Sequence, residues 1–169
     1  ELELDTSFAD AGQVHFNTHA DTASKEHVRH AVRDSSGNIY MLLESQSNTQ
    51  IVIAKVKADG TLDTSFGFNG QRPINPTNLE DPTLTSFTDS PTKVYGNKLV
   101  IDDNAMSAHL GKIYVVGRQY DNTTDFIWEP MLLRLNTDGS LDTTFDSDGK
   151  YHTSNYSDVN SGTEDSSEA

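Results

Sequence analysis

The sequence predicts an all-β protein built from repeated antiparallel sheet units, on three observations. One short pattern occurs three times, at Leu4–Phe8, Leu62–Phe66 and Leu141–Phe145, each followed four residues later by a glycine (Gly12, Gly70, Gly149). The apolar residues fall in short runs rich in Ile, Val and Tyr, such as IYMLL (39–43), IVIAKV (51–56), KIYVVG (112–117) and PMLLRL (130–135), the length and composition of strands. Turn residues punctuate these runs, and no segment carries a convincing helical stripe, Asp21–Arg33 being the single weak candidate.

More than the motif repeats. Asn38–Met41 matches Lys112–Val115, each after a glycine, and Ala54–Gly60 matches Leu133–Gly139. The chain therefore divides into a motif tail (1–14), unit one (15–71), unit two (72–152) and an acidic polar tail or linker (153–169). A period of tens of residues marks stacked or propeller arrays. In each unit a first strand (Val28–Val32, Leu99–Asp102) leads through a Gly turn to a second (Ile39–Leu43, Ile113–Val116) and a third (Ile51–Lys57, Met131–Leu135).

Asp59-Gly60 and Asp138-Gly139 read as two-residue primed hairpin turns. Leu62–Phe66 then reads as a last strand or its extended continuation. Leu62, Thr64 and Phe66 share one face in that reading, and the Asp63 carboxylate caps the following amides. The Tyr40-to-Asp59 span is 19 residues and its counterpart from Tyr114 to Asp138 is 24. The second hairpin is thus lengthened, and insertions of this kind map to loops where binding tends to sit.

The formal charge is −14, with 12 Lys and Arg against 26 Asp and Glu, so nucleic acid is not an expected partner. With no cysteine there are no disulfides or thiolate metal sites. The chain opens within a motif; it contains no signal peptide and no apolar stretch of transmembrane length, and membrane insertion is not expected.

Three segments compete for function. Arg118–Pro130 carries Tyr120, Asp125, Phe126 and Trp128, the only tryptophan; aromatic faces beside carboxylate and amide groups suit a glycan or protein ligand. Against that stands inward packing of Phe126 and Trp128 over the sheet edge. Asp146 and Asp148 resemble half of a calcium loop, so calcium is the one cofactor considered, although further ligands are lacking. His15, His19, His27 and His30 have spacings open to zinc or copper, but with no helix to align them they read as solvated or edge-strand histidines.

The pattern [DG]-x-L-D-T-[ST]-F-x-x-x-G, with I-Y and R-L or K-V strands upstream, resembles the delta-60 repeat family of predicted β-propellers over roughly residues 1–151. The resemblance implies antiparallel sheets of propeller-blade type and a setting in large secreted or surface-attached bacterial proteins, often with adhesin-type modules. It implies no shared catalytic activity. Met41-Leu42-Leu43 departs from the family's V-x-G strand end. Two units cannot close a ring of about four to eight blades. Three arrangements stay open: part of a longer protein, self-association with a partner copy, or a face-to-face β-sandwich. The expectation is a non-enzymatic extracellular scaffold or adhesion module, with a lectin-like module acting through residues 118–130 as the alternative.

Overall fold

The computed structural model describes residues 3–15, 26–45, 50–74, 93–120 and 128–152. Strands β1 (Glu26–Arg33), β2 (Ile39–Ser45), β3 (Ile51–Val56) and β4 (Gln71–Ile74) form one antiparallel meander. Strands β5 (Lys93–Ile101), β6 (Ile113–Tyr120), β7 (Trp128–Leu135) and β8 (Lys150–His152) form a second in the same order. The architecture is all-β, two like sheets stacked as neighbouring blades of a partial propeller are stacked, with β5 lying against β1, β2 and β3.

The sequence pattern explains the layering. Leu42, Ile51 and Ile53 of the first sheet and Leu99, Ile113, Val115 and Leu133 of the second are sealed from solvent in one shared core. Each such side chain contributes about 1.5–3 kcal/mol on burial, so the sheet-to-sheet contact outweighs any single hydrogen bond, worth about 0.5–1.5 kcal/mol. Leu43, Val52 and Ala54 form a smaller cluster on the first sheet's opposite face, with Met41 against it. That sheet is therefore apolar on both sides, which is why IVIAKV shows no polar alternation. The second sheet differs: β6 alternates, with Ile113, Val115, Gly117 and Gln119 buried and Val116 and Arg118 exposed.

The motif is not a strand. Leu62 makes one bridge to Val56, and the chain then turns, the Phe66 amide donating to the Asp63 carbonyl (2.9 Å) and Gly70 to Phe66 (2.8 Å). Both bonds recur in the other copies, Phe8 to Asp5 with Gly12 to Phe8, and Phe145 to Asp142 with Gly149 to Phe145. Asp63 and Phe66 are both buried while Thr64 is exposed, so the two-residue alternation fails. The last strand of each unit is instead Gln71–Ile74 or Lys150–His152, which carries the first sheet three residues past the boundary at 71.

The expected cap is present. The Asp63 carboxylate accepts from the Ser65 amide (3.3 Å) and hydroxyl (2.6 Å), and Asp142 from the Thr144 amide (3.1 Å) and hydroxyl (2.7 Å). Each also holds cations from its own sheet: Lys55 on Asp63 (2.8 Å), and Lys112 (2.9 Å) with Arg134 (2.8 Å) on Asp142. Burial alone would push the Asp63 carboxyl up, but Lys55 and Ser65 outweigh it and hold it at about 2. Thr144, Lys112 and Arg134 likewise hold Asp142 well below the usual carboxylate range against its burial.

Motif and turn also join successive units. The Ala9 amide donates to the Asp59 carbonyl (3.0 Å), and Gly67 donates in the same way to Asp138 (2.7 Å). Ala9, Gly67 and Asp146, equivalent in the three copies, all have positive φ (50°, 55°, 46°). The hairpins are wider than expected. Gly60 donates to Lys57 and Lys57 to Thr61, and only the glycine has positive φ, which makes a three-residue loop with a glycine bulge. Glu26–Arg33 is strand, which removes the helical candidate there. β5 and β6 also outrun the predicted strands, starting at Lys93 and ending at Tyr120.

Candidate functional site: a rim pocket between the two sheets

Both sheets carry a β-bulge at the same place in the repeat. The β1–β2 register slips between Val28 and His30, leaving Arg29 extra, and the β5–β6 register slips between Gly96 and Lys98, leaving Asn97 extra. Bulges re-aim side chains at sheet margins. Counting from the equivalent Tyr40 and Tyr114, Glu44 corresponds to Arg118, and through the pairing of the first two strands in each sheet Arg29 corresponds to Asn97. These four residues, with Tyr95 and Gly96, line a pocket of about 350 Å³ where the two sheets meet at one rim. Gly96 is what lets the sheets approach: a Cβ there would sit 2.8 Å from both Leu42 methyl carbons. The His30 Nδ1 accepts from the Leu99 amide (3.3 Å) and ties the two edge strands together just below.

The pocket's chemistry is uneven. Glu44 is buried, 1% exposed; its Oε2 accepts from Arg29 Nε, while its Oε1 has no hydrogen-bond partner among the described residues. A buried acceptor left without a donor costs about 1–3 kcal/mol. Across the pocket Arg118 lies over the Trp128 ring (4.5 Å) and the Tyr95 ring (5.1 Å). Trp128 in turn packs on Tyr95 (4.8 Å, edge-on) and Tyr120 (4.9 Å, tilted). Behind the rim, Gln119 Nε2 donates to Glu129 Oε2 (3.0 Å) in buried surroundings.

The structure thus brings together two of the four aromatic-hairpin residues. Tyr120 and Trp128 belong to one cluster at the ends of β6 and β7. Trp128 is 40% exposed on the face turned away from the first sheet, rather than packed inward. Asp125 and Phe126 lie outside the described residues. Asp148 Oδ1 accepts from the Lys150 amide (2.9 Å) and so closes a turn, while Asp146 is exposed; among the described residues no group of three or more His, Asp or Glu is placed to hold a metal ion. His27 and His30 lie on edge strand β1 and His15 in the first motif's exit, whereas His19 lies outside the described residues.

Sequence reasoning missed Arg29, Glu44, Tyr95 and Asn97. One signal for them was legible: Glu44 ends the run IYMLLE, and a carboxylate continuing a strand of buried apolar residues needs a partner.

The stacked meanders, the repeated motif-to-turn bond and the recurring bulge define a repeat protein of β-propeller type. Residues 44–66 and 111–145, together about a third of the chain, match a family described as a domain of unknown function (DUF5122) beta-propeller. No curated protein and no solved structure matches the chain.

Proposed function

We propose that this chain is a non-catalytic recognition module: a propeller-type scaffold that takes a ligand in the rim pocket between its sheets. The observation that carries the reading is the buried Glu44 Oε1, without a donor among the described residues, facing a pocket whose other side presents Arg118 held on two aromatic rings. The non-catalytic reading is supported by the lining, in which Glu44 is the single carboxylate among the described residues where glycoside hydrolysis calls on two. A glycan and peptide panel tests it. Binding that is lost in Arg118→Ala and in Trp128→Ala supports the reading; no binding across the panel, or binding indifferent to both substitutions, refutes it.

The finer kinship with delta-60 repeats rests on the three motif copies in register, and with it goes a place on a bacterial surface. Antibody labelling of intact source cells tests that setting, and labelling seen only after lysis counts against it. Self-association is a second reading. It is favoured by Val100, Val116, Trp128 and Tyr151, which are 40–51% exposed on the outer face of the second sheet. Sedimentation tests it; a monomer at all concentrations rules it out.

A further inference from the structure

We infer that the rim pocket takes a hydroxylated ligand with one negative charge, of the class of a hexuronate residue; this rests on the recognition reading above. The first reason is charge. Among the described residues the lining carries two guanidinium groups and one carboxylate, a formal surplus of one positive charge in a chain of net charge −14. A ligand with a single carboxylate neutralises the pocket, whereas a zwitterion leaves the surplus in place.

Hydrogen-bond capacity is the second reason. The ring contacts of Arg118 use none of its five N–H donors, and no carboxylate among the described residues pairs with it. Guanidinium donors of this kind suit a carboxylate acceptor. Glu44 Oε1 has the opposite need, a donor, and it lies buried beside the same space. A bare anion would answer Arg118 and set acceptor against acceptor at Glu44. A ligand with carboxylate and hydroxyl groups on one ring satisfies both. Asn97, exposed at the second bulge, adds an amide able to donate and accept.

Size is the third reason. A volume of about 350 Å³ falls at the small end of ligand pockets, roughly 300–1,000 Å³, which suits one sugar residue rather than a long segment. The same chemistry is offered by a free sugar acid or by a uronate within a polysaccharide.

Trp128 is the only tryptophan and packs on Tyr95 and Arg118, both of which line the pocket, so its emission reads occupancy through those two side chains. Galacturonate, galactose and trigalacturonate are titrated against the whole chain, with Arg118→Gln beside it and circular dichroism confirming its fold. The expected result is galacturonate bound at least about tenfold more tightly than galactose, the advantage of a charge-assisted hydrogen bond, with that advantage lost in Arg118→Gln. Trimer binding tighter than monomer assigns the polymer, and equal binding assigns the free acid. Galactose bound as tightly as galacturonate overturns the charge inference and leaves the recognition reading standing. Silence from all three sugars overturns the inference as well, while the broader panel decides separately for that reading. Binding unchanged in Arg118→Gln overturns both.

Discussion

Replacing Asp142 by asparagine isolates what the motif's carboxylate charge does. Asp142 is 3% exposed and joins Lys112 (2.9 Å) and Arg134 (2.8 Å) while capping Thr144. Asparagine keeps an acceptor for the cap and removes the charge, leaving two cations without their counterion. Breaking a buried pair from one side costs about 3–5 kcal/mol. Lys112 recovers part of that because its side chain is 24% exposed, so the expected loss is about 2–3 kcal/mol. Alanine also removes the cap, worth about 1 kcal/mol, and should lose about 3–4 kcal/mol. In urea, with a slope of about 2 kcal/mol per molar, the asparagine variant should shift the midpoint down by about 1–1.5 M. Far-UV circular dichroism and Trp128 emission should follow the same transition. A loss below about 0.5 kcal/mol for asparagine would show that the ion triad does not hold the motif, and equal losses for asparagine and alanine would show that the cap contributes nothing.

Other consequences can be checked in parallel. Asp63, held at about 2, and Asp142, held lower, are depressed carboxyls; their stabilisation is present above the unfolded value near 4 and lost as pH falls through the folded one. The melting temperature attributable to them should therefore hold from pH 7 to about 5 and fall between about 4 and 2, and a decline that Asp63→Asn leaves unaltered would contradict this. Gly60→Val should loosen the first motif from unit one, since a Cβ there lies 2.5 Å from Ala9 Cβ at φ +87°. A cost of about 1–3 kcal/mol with earlier proteolysis near residue 9 is expected, and wild-type stability would refute the junction. Gly96→Val should cost a similar amount by pressing on Leu42 and should also abolish ligand binding at the rim. Arg118→Gln should shift Trp128 emission while changing stability by under about 1 kcal/mol, the scale of an exposed cation–π contact.

How much of this was legible depends on range. The motif copies and the runs IVIAKV and KIYVVG placed the strands and the all-β class because strand pattern and turn chemistry are local. The motif's interior departs from alternation because Asp63 is buried through an ion pair with Lys55 across the Asp59-Gly60 hairpin, a pairing of side chains that strand alternation does not encode. Asp59-Gly60 was assigned a primed turn because the dipeptide signal is silent about Ala58, which joins the loop. The site was half visible: Trp128 and Tyr120 stand together in sequence, but their partners Tyr95, Arg29 and Glu44 arrive from other strands and from the other unit. Pairing across sheets depends on stacking geometry, which no single repeat encodes. The copies diverge at these positions, Arg29 with Glu44 in one and Asn97 with Arg118 in the other, but the equivalence of Arg29 and Asn97 is visible only in the strand register.

The most direct test of the account is a residue-resolved NMR titration with galacturonate. Amide and indole shifts should move at Arg29, Glu44, Tyr95, Asn97, Arg118 and Trp128, with the motif turns at Asp63 and Asp142 unmoved. Shifts confined to the motif turns or to the outer sheet around Val100 and Tyr151, with the rim silent, would contradict it.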